Sequence, residues 1–161
     1  MSVFRLVVLT IAAASLAIAG CSSDKGSSGD GGSTSESFDF GQPADVADAD
    51  RTIEIAANDD FSFDPDAVEV EVGEVVTFSV TNSGKLPHEF TLGPGDVQLE
   101  HEEEMAEMGD MEMDDEPNAI SVPAGETVDL TWEFTEAGSV LYGCHTQGHY
   151  DAGMVGSIDV V

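Results

Sequence analysis

Alternation of apolar and polar positions dominates the last two-thirds of the chain. Five runs that alternate or stay apolar, with many valines among them, read as strands: TIEIA at 52–56, VEVEV at 68–72, VVTFSV at 75–80, TVDLTWEF at 127–134 and SVLYG at 139–143. Turn residues separate them. Gly73-Glu74 signals a hairpin between the second and third runs, and Pro123-Ala-Gly125 and Ala137-Gly138 punctuate the later ones. Short strands at this spacing predict an all-β antiparallel sandwich, with Phe61, Phe63, Phe78, Phe90, Trp132 and Phe134 in its core. One segment breaks the pattern. Between Leu92 and Ala119 a long acidic insert carries helix formers from Val97 to Met108, with Gly109 near the end of the predicted helix.

The N-terminal third has a different organisation. Arg5 precedes a mostly apolar run from Leu6 to Ile18, then Gly20 and Cys21, so residues 1–20 read as an export signal. The run is short for a membrane span, which takes roughly 20 apolar residues. Ile-Ala-Gly-Cys resembles a lipobox, which implies a lipoprotein signal peptide and lipidation of Cys21 as the mature N-terminus. The plainer reading is an ordinary secretory signal with an incidental cysteine. Residues 21–50 follow as a Ser/Gly/Asp-rich stretch that lacks the apolar surface to offset its ordering entropy. A flexible stalk of that length reaches about 30 Å. Residues 51–161 are then the size of one domain.

Charge and cysteine count narrow the function. The formal net charge is −29, with 33 carboxylates opposed by four cations, which excludes a nucleic-acid or anionic-membrane binder. It fits a saline habitat or a partner with a basic docking surface. Lipid on Cys21 leaves Cys144 alone in an exported protein, and a single thiol in an oxidising compartment calls for a use such as metal ligation.

That cysteine opens the run Cys-His-Thr-Gln-Gly-His-Tyr-Asp-Ala-Gly-Met, which sets Cys144, His149 and Met154 at five-residue steps. A thiolate, an imidazole and a weak thioether are three of the four donors of a blue-copper site, and His88 in Leu-Pro-His-Glu-Phe is placed to be the fourth. Singly, each of these residues reads more plainly as core or solvated loop; together they point to copper. Gly143, Gly148, Gly153 and Gly156 suit the close backbone of such a loop.

The spacing resembles the plastocyanin/azurin family of cupredoxins, and the resemblance runs over about residues 52–161. It includes Phe-Asp-Pro, Thr-Asn-Ser-Gly before Pro-His-Glu-Phe, and Pro-Ala-Gly-Glu-Thr before the tryptophan strand. It implies a Greek-key β-sandwich holding one type 1 copper ion near one end. His88 would lie just before a strand; Cys144, His149 and the axial Met154 would lie on the loop joining the last two strands. Two positions depart from the family's common pattern: His145 follows the cysteine and Glu89 follows the first histidine. His145 is expected to face away from the ligands.

The insert offers a second chemistry. Met105, Met108, Met111 and Met113 are four of the five methionines after the signal, and with His101 they form a possible Cu(I) site. The plainer reading is a helix that covers one sheet face and packs through its methionines. Two functions follow. One is a monomeric electron carrier between redox partner proteins, lipid-anchored at the outer face of the cytoplasmic membrane. The other is a copper-buffering protein of the envelope. An enzyme is not expected: multicopper oxidases need His-x-His pairs and a dinuclear centre needs two loop cysteines, and the chain has neither.

Overall fold

The computed structural model describes residues 38–108 and 116–161. The expected signal at 1–20, Cys21, the stalk to residue 37, Gly109, Met111, Met113 and the side chain of Met108 lie outside the described residues.

Ten strands form two five-stranded sheets. The first contains β1 (Gly41–Pro43), β2 (Arg51–Asn58), β3 (Ser62–Asp64), β5 (Val75–Asn82) and β8 (Thr127–Phe134), in the order β1-β8-β5-β2-β3. The second contains β4 (Ala67–Val70), β6 (His88–Gly93), β7 (Ala119–Val122), β9 (Gly138–Gly143) and β10 (Val155–Val160), in the order β4-β10-β9-β6-β7. Between β6 and β7 lies α1 (Gly95–Met108). The alternation drives this layering. Leu130, Trp132 and Phe134 of β8, Val76, Phe78 and Val80 of β5, and Ile158 and Val160 of β10 are all buried between the sheets.

The sandwich is all-β as the alternation predicts, but its pairing is mixed rather than antiparallel. β2 runs parallel to β5, and β4 runs parallel to β10. Gly73-Glu74 therefore makes no hairpin: it carries the chain from β4 in one sheet to β5 in the other. Alternation identifies which face of a strand is buried and is silent on which neighbour it pairs with, so the crossover was not readable.

The expected domain start at residue 51 is also too late. Within the segment assigned to the stalk, Gly41–Pro43 pair with Trp132–Phe134 of β8, and a 3-10 turn follows at Val46–Asp48. Phe40 stacks on Trp132 at 5.2 Å between ring centroids, and Phe38 tilts against both rings. Two phenylalanines supply enough apolar area to anchor an otherwise polar stretch, since a buried aromatic is worth several kcal/mol (about 1.5–3 by transfer).

Phe63, Phe78, Phe90, Trp132 and Phe134 are buried as predicted. Phe61 is only half-buried and stands at the edge of the core. All six residues of β6 are buried because the sandwich covers one face and α1 the other.

Candidate metal centre

Four residues predicted to act together lie at one end of the second sheet. His88 is the first residue of β6, paired with Val122. Cys144 directly follows β9, whose neighbour in the sheet is β6, with Thr91 opposite Gly143. The 144–154 loop then returns to β10, and the Cys144 N–H donates to the Met154 carbonyl at 3.1 Å, so the loop is closed at its base. Inside it, the Met154 N–H donates to the His149 carbonyl (3.0 Å) and the His149 N–H to that of Thr146 (2.9 Å). Gly148 and Gly153 supply the left-handed turns, with φ of +82° and +97°.

The segment before His88 is held as firmly. Asn82 donates through Nδ2 to the carbonyls of Leu86 (2.7 Å) and Val122 (3.0 Å) and accepts from the Gly84 N–H. The Asp59 carboxylate accepts from the N–H groups of Lys85 and Leu86. Those bonds hold its carboxyl below the usual carboxylate range.

The donor atoms converge. Cys144 Sγ lies 3.3 Å from His149 Nδ1 and 3.9 Å from His88 Nδ1, and one ligand atom from each residue falls within 4.8 Å of the others. An ion bonded at roughly 2.0–2.3 Å to three donors in a plane would hold them about 3.5–4 Å apart. The set fits copper in chemistry too: two imidazoles, one thiolate, and Met154 fully buried on the same loop. Ordinary core packing explains it less well, because a thiol and two imidazoles turn their ligating atoms toward one point in the interior instead of toward backbone partners. Burial pushes the Cys144 thiol up. It pushes both imidazoles down, His88 further by the nearby His149, so the two rings are neutral and ready to ligate near pH 7.

Several contributors escaped the sequence reading. The Glu89 N–H donates to Cys144 Sγ at 3.3 Å. The family's departure at this position is thus harmless to that bond, because the backbone makes it. The Glu89 side chain turns the other way, accepting from Thr91 Oγ1 (2.5 Å) and facing His101 Nε2 at 2.6 Å. Phe61 packs its ring against His149 at 4.5 Å and has φ of +63°, a left-handed backbone that a bulky residue rarely adopts. Such strain, of order 1–3 kcal/mol, gathers where position matters more than stability.

His145 faces α1, away from the ligands, as expected. Its Nδ1 is 2.6 Å from Glu102 and its Nε2 2.7 Å from Gln98 Oε1, and its ring stacks on Tyr150. Gln98 in turn donates to the carbonyls of Thr91 and Gly93. A Cβ at Gly143 would press on Gln98 Oε1, the Tyr150 ring and His145 Nε2, so glycine leaves room for these side chains to meet beneath α1. Among the described side chains the helix docks through buried Gln98 and His101. Met105 is half-buried beside Glu102 and His145, while His101 opens to a different hollow, beside Glu104 and Glu116. His101 and Met105 are four residues apart on α1, hence neighbours along the helix, and the side chains of Met108, Met111 and Met113 lie outside the described residues.

Comparison with known proteins agrees with this geometry. Residues 49–161 match the model of the copper binding proteins of the plastocyanin/azurin family, and the chain belongs to that family. It is 41% identical over 121 residues to a protein of Rubrivivax gelatinosus named copper-resistant cuproprotein CopI, covering 75% of this chain and 73% of that one. It is 38% identical over 149 residues to the protein of the same name from Pseudomonas aeruginosa, covering 75% and 82%. Auracyanin B shares the fold, with a TM-score of 0.62, 24% identity, and coverage of 76% of this chain and 96% of that one. The cofactor of a chain with this fold and donor set is copper.

Proton competition at the site follows from the shifts. The raised thiol must lose its proton on metal binding, so apparent Cu(II) affinity should rise about tenfold per pH unit between roughly pH 6.5 and 8. Below that window the imidazoles, whose values are depressed, begin to take protons and the slope should steepen. Competition titrations against a chelator across this range measure it; an affinity flat in pH would show that the thiol is not a ligand.

Proposed function

We propose that the protein is a small type 1 copper protein carrying single electrons between redox partners, with His88, Cys144, His149 and Met154 as its metal ligands. The observation that supports this is preassembly. His88, Cys144 and His149 each bring a ligand atom within 4.8 Å of the others, in a buried frame held by backbone hydrogen bonds. Copper bound there supplies a one-electron couple, served in one oxidation state by imidazole and in the other by sulfur. The frame keeps the ligands in one geometry for both states. The Glu89 N–H steadies the sulfur, and the Asp59 and Asn82 contacts steady the approach to His88. His149, with 7% of its surface exposed, is the most accessible of the four, so a docked partner would approach through it. The acidic surface suits partners with basic docking faces. No catalytic step belongs to this reading. We place the protein at the outer face of the cytoplasmic membrane as a monomer, anchored by lipid on Cys21.

A second reading is copper handling in the envelope. It is supported by the name of the two relatives, copper-resistant cuproprotein, and by the four methionines at 105–113.

Three measurements test these readings. Cu(II) loading should give an intense visible thiolate band that is abolished in Cys144→Ser. It should survive in Met154→Leu with a higher reduction potential, because a weak donor to the oxidised ion is gone; equal colour in the serine variant would refute the ligand set. Reduced protein that binds more than one Cu(I), falling to one when Met105, Met108, Met111 and Met113 all become Leu, would favour copper handling. One Cu(I) before and after would leave the carrier alone. Leucine keeps bulk and apolarity, so folding should hardly change. For the anchor, the natural chain should partition into detergent and Cys21→Ala should not; equal partitioning would remove the lipid.

A further inference from the structure

Outside the copper centre, a second convergence of ligating groups involves His101, Glu104 and Glu116. One ligand atom from each falls within 4.8 Å of the others. They border a hollow of about 400 Å³ that Phe38 and Val97 also line. A patch of carboxylates would mean little by itself in so acidic a chain. The histidine changes that. His101 is only 3% exposed, and its Nδ1 is buried without a hydrogen-bond partner. Glu116 Oε2 stands 3.3 Å away, within ion-pair distance but outside hydrogen-bonding alignment. Leaving a buried ring nitrogen unsatisfied costs about 1–3 kcal/mol, so a partner there has something to gain.

The other ring nitrogen is already committed. His101 Nε2 is 2.6 Å from Glu89 Oε1, which fixes the ring and directs the Nδ1 lone pair toward the hollow. A ligating histidine whose second nitrogen is held by a carboxylate is the usual arrangement at metal sites. One imidazole and two carboxylates, without sulfur, suit a divalent first-row ion rather than Cu(I). Ligand atoms within 4.8 Å of one another are within roughly 1.5 Å of the spacing that an ion bonded at about 2.0–2.2 Å requires, and Glu104 is exposed and able to move.

We propose that His101 Nδ1, Glu104 and Glu116 form a second metal site, for a divalent first-row cation, joined to the copper centre through Glu89. The link is direct: the Glu89 carboxylate orients His101, and the Glu89 N–H donates to Cys144 Sγ. The site does not depend on the electron-carrier reading. It also differs in donors and place from a methionine Cu(I) site. The competing arrangement is a proton in place of the metal, giving an imidazolium shared between Glu89 and Glu116.

Zinc distinguishes the two, being redox-silent and diamagnetic. The probe is Zn(II) added to the full chain in its copper-loaded, reduced form. Titration in about 1 M salt, where the Debye length is about 3 Å, suppresses diffuse binding to the acidic surface. The expected result is one zinc retained per chain, with the ¹⁵N resonance of His101 Nδ1 moving in step with occupancy. Glu104→Gln combined with Glu116→Gln should weaken zinc at least tenfold. The visible band of the oxidised variant should stay unchanged, showing that the fold is intact. No retained zinc, a His101 ring that stays doubly protonated throughout, or undiminished binding by the double variant would each overturn the site.

Discussion

The burial of one sulfur between two backbone constraints organises this molecule. Cys144 is fully buried at the end of β9, its N–H tied to Met154 across the loop and its Sγ receiving the Glu89 N–H from β6. Position and orientation are thus set by main-chain bonds on both flanks, and side-chain changes in the loop cannot easily move the sulfur. Everything around it answers to that point. β6 is buried on both faces so that His88 is held on a strand, and the loop turns twice through left-handed glycines so that His149 comes back to within 3.3 Å.

The convergence of His88, Cys144 and His149 was legible in the sequence because Cys144 and His149 share one short loop, where spacing translates almost directly into position. His88 was legible for a related reason: it opens a β-patterned segment, and strand ends are where a sandwich gathers its loops. What lay beyond reach was non-local. The Glu89–His101 contact joins residues twelve apart on different elements, and the His145–Gln98 contact joins residues 47 apart. The docking of Phe38 and Phe40 on Trp132 was hidden by composition, since a segment rich in Ser, Gly and Asp reads as stalk even when two aromatic residues anchor its end. Phe61 was assigned to the core on its apolar character alone, yet its left-handed backbone sets the ring against His149.

The helix departs furthest from expectation. A covering helix normally offers an apolar stripe, whereas α1 buries Gln98 and His101 and ties Glu102 to His145. Polar docking of this kind carries a desolvation cost that apolar docking avoids, and it is met here by a nearly complete set of partners. In exchange it is specific: a shift by one residue would leave several buried polar groups unpaired, so α1 has one seating on β6 and β9.

All four histidines of the chain are interior, between 1% and 7% exposed. Histidine is the side chain whose ordinary titration falls between pH 5 and 8. The described surface therefore presents no exposed histidine, and the charge it shows a partner changes little near neutrality. Electrophoretic mobility, colloidal repulsion and the long-range attraction for a basic partner all inherit that constancy. Protons that the folded domain exchanges around pH 7 come instead from its interior, from the copper end and from His101 between Glu89 and Glu116.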